Sequence, residues 1–283
     1  MSRKKKIALV IGAGSVKCAA ALGVWKVLER ENIHFDMIVG CSGGSLYAAS
    51  MALGFSLDES VSKTKTLWNT SVTEKRNWRG LASAILPGLF GFNERFSMVD
   101  DRVMLARLRS VFGGKTFEDA RTPLYLMATD FHTAESVALS TGDLVDAIRA
   151  SIAIPYIWPA WPLDGRLLID GSASNPLPVD VAIRERADII LALGFQSPYP
   201  SKIRSVSRYS LHINSLMTNN LYQANFAFHS AAHHAEIISL FPDFERPIRL
   251  FDTDQIPYVI EQGEKAMNEQ LGYVKRLMET EQP

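Results

Sequence analysis

Cysteine is scarce in this chain, with Cys18 and Cys41 the only two. That excludes a disulfide framework and points to a reducing, cytoplasmic setting, with or without peripheral contact with a membrane. Charge bias is absent as well, since 30 Lys+Arg balance 30 Asp+Glu. Nucleic-acid-binding proteins usually carry a basic excess, so no nucleic-acid partner is expected. No apolar run reaches the roughly 20 residues of a membrane-crossing helix. No internal repeat or low-complexity tract occurs. No EF-hand-like or clustered acidic loop occurs either, so calcium is not implied. No metal site or cofactor is expected.

What is present is a globular composition: 47% hydrophobic and 21% charged residues over 283 positions, enough for a substantial core. The N-terminus admits two readings. Arg3 to Lys6 followed by Ile7 to Val16, with Ala19 to Ala21 near a cleavage position, is laid out like a secretory signal. Against that, Lys17 stands where a small neutral residue is wanted, and glycines break the apolar stretch. Lys6 to Ile11 therefore reads better as a first strand buried on both faces of a parallel sheet.

The stretch that organises the chain is Phe35 to Leu46. The apolar run Met37-Ile38-Val39 leads into Gly40-Cys41-Ser42-Gly43-Gly44, and a helix-compatible segment, Leu46 to Leu53, follows. Strand, G-x-S-x-G and helix make a nucleophile elbow. So tight a turn leaves no room for bulk two residues before and after the serine, which Gly40 and Gly44 satisfy. The Ser42 hydroxyl would then stand at a helix N-terminus, where developing negative charge is favoured. The plainer alternative is a glycine-serine loop with no chemistry.

Upstream, the first strand runs into Gly12-Ala13-Gly14-Ser15-Val16-Lys17 and then a helical segment ending at Arg30. Such a loop presents backbone N–H groups to an anion. A dinucleotide-binding turn is one reading, but lysine occupies the third glycine position and Asp36 precedes its strand instead of ending it. An oxyanion hole beside Ser42 is the other, and the elbow two dozen residues on favours it.

Further along, Trp78 to Phe92 is apolar, glycine-rich and proline-punctuated. It reads either as a buried irregular connection with short helices, or as a flap over an apolar channel or a patch touching a lipid surface. Helices are expected over Ser60 to Trp68, Asp100 to Val111, and Asp143 to Ala150 with Thr141 or Gly142 near its cap. Strands are expected over Leu124 to Asp130 and Glu135 to Thr141. Tyr156, Ile157, Trp158 and Trp161, in a proline-broken stretch, line an apolar cleft or pack in the core. A strand at Leu167 to Ile169 runs into Asp170-Gly171, a rigid strand-end position where catalytic groups commonly sit. The alternative is a turn aspartate bonded to its own backbone. A helix from Pro178 to Arg186 and a strand from Asp188 to Leu193 follow, then helices over Leu211 to Leu240 and Ile256 to Met278. Strands alternating with helices imply a mainly parallel sheet covered on both faces.

Taken in order, Gly12-Ala-Gly-Ser-Val-Lys-Cys18, Gly40-Cys-Ser-Gly-Gly44 and Asp170-Gly-Ser172 resemble the motifs of the patatin-like phospholipases. The stretch Ala147 to Pro155, Pro159 and Asn175-Pro-Leu-Pro178 extend the likeness over residues 7–194, closest to the smaller bacterial members. The resemblance implies a three-layer α/β fold, with residues 195–283 a C-terminal helical portion packing on the same domain. It implies Ser42 as nucleophile and Asp170 as its partner in a Ser–Asp dyad. The N–H groups of Ala13, Gly14 and Ser15 would form the oxyanion hole, and Lys17 matches the basic residue that meets substrate. An acyl-lipid substrate follows, with transient membrane-surface contact as a corollary.

Departures from the family pattern are Ala13-Gly14-Ser15 where three glycines are usual, Cys18 for glycine, and Ser172 for alanine or glycine. Any such position with positive φ would be strained by its Cβ. Cys18 and Cys41 near helix N-termini read as small apolar packing or as redox-sensitive thiols. Rival readings are a transacylase on the same acyl-enzyme, a Ser–Asp–His triad through His233 or His234, and a weakened or non-enzymatic lipid-binding regulator.

Overall fold

Side chains of the first strand, β1 (Ile7–Ile11), divide between two cores. Ile7, Leu9 and Ile11 enter one and Ala8 and Val10 the other, so the strand must be covered on both faces. The structure, a computed structural model, describes residues 4–68, 70–196, 203, 205–233, 235–250 and 252–279. From β1 the chain runs through α1 (Ala20–Arg30), β2 (Met37–Cys41), α2 (Gly43–Ala52) and α3 (Leu57–Leu67). The short α4 (Trp78–Ile85) and α5 (Pro87–Phe90) precede α6 (Arg102–Phe112), β3 (Leu124–Asp130) and β4 (Ser136–Leu139). Then come α7 (Leu144–Ser151), β5 (Trp161–Leu163), β6 (Arg166–Asp170), α8 (Val179–Arg184) and β7 (Ile189–Leu193). The chain closes with α9 (Val206–Ala232), β8 (Glu236–Leu240) and α10 (Ile256–Glu279).

Strands β3, β2, β1, β7 and β8 lie side by side in that order and all run parallel. β4 and β6 are antiparallel to β3, and β5 is antiparallel to β6. Leu22 of α1, Leu46 of α2, Leu108 of α6, Ile148 of α7 and Val259 of α10 fill the core on one face. Val181 of α8 and Tyr222 of α9 belong to the core on the other. The expected mainly parallel sheet between two helical layers is present.

Three details differ from the sequence expectation. The helix expected to continue to Leu240 stops at Ala232, and Glu236–Leu240 forms β8, which extends the sheet beyond β7 and buries Ile238 and Leu240. The α7 helix is capped by Asp143, whose carboxylate accepts the N–H groups of Val145 and Asp146, not by Thr141 or Gly142. Of the two readings of Trp78 to Phe92, the short helices of the first are present but its burial is not: Trp78, Ile85 and Leu89 are 72%, 78% and 75% exposed.

Strand register places the site. Met127 lies between Cys41 and Ala138, and the next residue, Ala128, lies between Asp170 and Val137. Since β4 flanks both residues on one side, β2 and β6 must share the other edge of β3. They run toward each other along it, and their C-terminal ends meet. Ser42 follows the last residue of one and Asp170 ends the other.

Candidate active site

The elbow has the geometry its sequence demands. Ser42 sits at φ 52° and ψ −125°, between β2 and the first turn of α2. A Cβ on Gly40 would come within 2.7 Å of the Ala48 Cβ, and one on Gly44 within 2.4 Å of the Ile11 carbonyl. Those glycines let α2 lie directly on the strands that hold the serine.

Ser42 Oγ donates to Asp170 Oδ2 at 2.6 Å, and Asp170 Oδ1 accepts the Ser172 N–H at 2.8 Å. The two sequence readings of Asp170, a group facing Ser42 and a turn aspartate bonded to its own backbone, are therefore both realised, one on each oxygen. Its N–H donates to the Ala153 carbonyl and its carbonyl accepts from Thr129 Oγ1, both at 3.0 Å. Ser42 is 7% exposed and Asp170 wholly buried. Burial pushes the Asp170 carboxyl above its ordinary value, while the bonds from Ser42 and Ser172 pull it back. The carboxylate is thus a better base than an exposed aspartate.

The glycine-rich loop lies against the start of α2. A Cβ on Gly43 would stand 2.8 Å from the N, Cα and O atoms of Ser15, so the absence of a side chain at 43 permits this approach. The amides of the loop are not equivalent. Ala13 N–H donates to the Pro176 carbonyl at 2.8 Å, which removes it from the free donors expected there. Gly14 N–H faces the Cys18 sulfur. Among the described residues the N–H groups of Ser15 and Gly43 meet no protein acceptor. Ser15 adopts φ 56°, the positive value at which a Cβ is strained. Its hydroxyl offsets that cost: Oγ donates to the Leu250 carbonyl and accepts from Trp68 Nε1, the latter at 2.9 Å.

Several residues around the pair carried no recognisable signal. Ser151, the last residue of α7, accepts the Ser42 N–H on its Oγ at 3.0 Å and lies 2.6 Å from Ser45 Oγ. Thr129 braces Asp170 from β3 and also meets Ser174 Oγ at 2.8 Å. Ser151 falls inside the Ala147 to Pro155 stretch, the one place where the sequence hinted at it.

Lys17 is buried, and its Nζ donates to the Gln196 carbonyl at 2.9 Å, tying the glycine-rich loop to the segment after β7. Burial lowers its pKa to about 8. Cys18 and Cys41 are both buried, and burial pushes both thiols upward, away from thiolate. Packing is the reading that fits them. The Ser42 hydroxyl is bonded to Asp170 and to no histidine among the described residues. His233 is exposed beyond the end of α9, and His234 lies outside the described residues.

A trough of about 780 Å³ opens beside Ser172 and Ala173, two and three residues after Asp170. Pro155, Tyr156 and, from α9, Ile213, Met217 and Leu221 give it apolar walls. A second cavity of about 430 Å³ shares Pro155 and Tyr156 and adds Phe92, Phe96, Phe131 and Trp158. The expected lining role thus falls to Tyr156 and Trp158.

The mycobacterial protein described as an uncharacterized NTE family protein of Mycobacterium bovis is 30% identical over 192 residues, covering 68% of this chain and 49% of its own. Human patatin-like phospholipase domain-containing protein 6 is 30% identical over 190 residues, covering 66% of this chain and 13% of its own. The chain therefore spans about half the length of the first relative and far less of the second. Among solved structures, VipD from Legionella pneumophila is 11% identical at a TM-score of 0.49, covering 95% of this chain and 67% of that one. The family model for patatin-like phospholipases matches residues 9–183, a span holding both Ser42 and Asp170. With its elbow, its strand-end aspartate and that match, the chain belongs to the patatin-like phospholipase family.

Proposed function

We propose that this chain is a serine acyl hydrolase that cleaves fatty-acyl esters of phospholipids or lysophospholipids. The observation that carries the reading is the 2.6 Å hydrogen bond from Ser42 Oγ to a fully buried Asp170 carboxylate. Family membership and the apolar trough at Ser172 and Ala173 support a lipid substrate.

Asp170 Oδ2 takes the Ser42 proton as Oγ bonds to the ester carbonyl carbon. An ordinary aspartate, with pKa near ~3.9, would be a poor acceptor for that proton. Desolvation narrows the gap and strengthens every charge–dipole contact in the site. The carbonyl oxygen gains negative charge and is met by the loop amides at the head of α2. Ser15 and Gly43 are the donors that fit; one such donor is worth about 2.7–4 kcal/mol of barrier. When the tetrahedral centre collapses, the carbon–oxygen bond to the alcohol breaks, and Asp170 returns its proton to the leaving oxygen. Water then attacks the acyl-Ser42 ester, giving its proton to Asp170, which passes it back to Oγ as the fatty acid departs. Lys17 acts in this scheme by holding the loop, or by meeting the acidic part of a lipid. The two unpaired cysteines support a cytoplasmic setting.

The test is release of free fatty acid, followed by mass spectrometry, from palmitoyl-lysophosphatidylcholine, a diacyl phosphatidylcholine and p-nitrophenyl butyrate. The wild-type chain is expected to release acid from at least one, and Ser42→Ala from none above the enzyme-free rate. A folded wild-type chain inert on all three, or a Ser42→Ala variant as active as wild type, overturns the reading.

A further inference from the structure

We infer that the α4–α5 hairpin is a docking surface for an anionic phospholipid membrane. The reasoning starts from composition. Between Glu74 and Glu94 there is no acidic residue, while Lys75, Arg76 and Arg79 are all basic. Over the same stretch Trp78, Ile85, Leu86, Leu89, Phe90 and Phe92 are all exposed. A contiguous apolar surface rimmed by cations is rare on a protein that meets only water. It is the arrangement by which interfacial segments settle into headgroups, with tryptophan at the boundary.

Local structure makes the hairpin a built platform. Asn77 caps α4, its Oδ1 accepting the Gly80 N–H at 3.0 Å, and Pro87 opens α5. Asn77 N–H donates to the Met98 carbonyl at 3.0 Å, closing the base of the hairpin. Between the two helices lies an open concavity of about 770 Å³, where Arg79 stands among Trp78, Leu89 and Phe90. A guanidinium in an apolar hollow suits a lipid, which offers a phosphate and a hydrocarbon chain together. Lys75 pairs with Asp100 at 3.8 Å, whereas Arg76 and Arg79 have no acidic partner among the described residues.

Two further observations favour a membrane over a second copy of this chain. A two-fold contact would press the same basic, acid-free patch against itself, setting like charges face to face. The hairpin is also continuous with the candidate active site. Met98 N–H donates to the Tyr156 carbonyl at 2.8 Å and Val99 N–H to the Ile157 carbonyl at 3.1 Å. Tyr156 walls both the trough at Ser172 and Ala173 and the cavity that contains Phe92. A hairpin seated in headgroups would therefore hold the mouth of the trough at the lipid surface.

The inference does not require the hydrolase reading, because binding is measured with the Ser42→Ala chain beside wild type. Both are centrifuged with unilamellar vesicles of phosphatidylcholine, with and without about one quarter phosphatidylglycerol. Both are expected to co-sediment with the anionic vesicles. A Trp78→Ser/Leu89→Ser/Phe90→Ser variant should lose about tenfold or more in partitioning, with its rate on p-nitrophenyl butyrate unchanged. Arg79→Glu should lose several-fold on anionic vesicles alone. Wild type left in the supernatant, or a triple variant that binds as well as wild type, refutes the inference. Sedimentation velocity showing a dimer that the triple variant abolishes would assign the surface to a second copy, and refutes it too.

Discussion

Replacing Ser151 by alanine tests how Ser42, the proposed nucleophile, is held. The Ser42 N–H is buried and its acceptor is Ser151 Oγ at 3.0 Å, which in turn lies 2.6 Å from Ser45 Oγ. Ser151→Ala takes away that acceptor and puts nothing polar in its place. An unpaired buried N–H costs about 1–3 kcal/mol. At roughly 2–4 °C per kcal/mol for a domain of this size, the melting temperature should fall by about 2–12 °C. The chemical effect is separate. Ser42 is held at φ 52°, a conformation that persists only while its surroundings enforce it. Loosening it should lower kcat about tenfold or more while KM stays near wild type, because the apolar trough proposed to hold substrate is untouched. Ser45→Ala is the control, since it leaves Ser151 to accept the same N–H. Differential scanning fluorimetry and hydrolysis of p-nitrophenyl butyrate read both effects. A Ser151→Ala chain with wild-type melting temperature and kcat would refute the reasoning, as would equal losses in Ser45→Ala.

Three other outcomes are expected. Gly43→Ala sets a Cβ 2.8 Å from the Ser15 backbone, so the loop must retreat and the rate on p-nitrophenyl butyrate should fall by roughly a hundredfold, in line with the loss of one oxyanion donor. At Ser15, glycine should be better tolerated than alanine in thermal melts, because alanine keeps the strain at φ 56° and loses the hydroxyl's bonds, at about 1–2 kcal/mol. The pH dependence follows from Asp170, whose carboxyl burial raises. In the proposed mechanism its carboxylate form is the base, so kcat should fall as pH drops, with the acid limb above the ~3.9 of a free aspartate. Stability has the opposite sign: burial favours the protonated form, and that contribution is lost as pH rises through the raised value. Asp170→Asn should therefore melt no lower than wild type at neutral pH, which calorimetry can check.

Local signals made part of this site readable without coordinates. Ser42 and Asp170 each end an apolar run and are followed by glycine, a pattern that a single stretch of chain contains. What brings them together is not local. It is the abutting of β2 and β6 on one edge of β3, which depends on pairing across more than a hundred residues of chain. Thr129 stayed hidden for the same reason, and Ser151 because its role exists only where the end of α7 meets the elbow. The expected donor Ala13 is engaged because Pro176 folds back over the loop, an event nothing near Ala13 announces. β8 was hidden because no glycine or proline lies between Ala232 and Leu240 to mark the break. For Trp78 to Phe92, apolar composition left a buried connection and an exposed flap or patch both open, because composition cannot say whether anything covers the segment.

The central claim is that Asp170, and no histidine, serves Ser42 as base. It is tested most directly by the p-nitrophenyl butyrate rate of Asp170→Asn beside a His233→Ala/His234→Ala chain. The account predicts a loss of about a thousandfold or more for Asp170→Asn and a wild-type rate for the histidine pair. An active Asp170→Asn chain, or an inactive histidine pair that still folds, would contradict it.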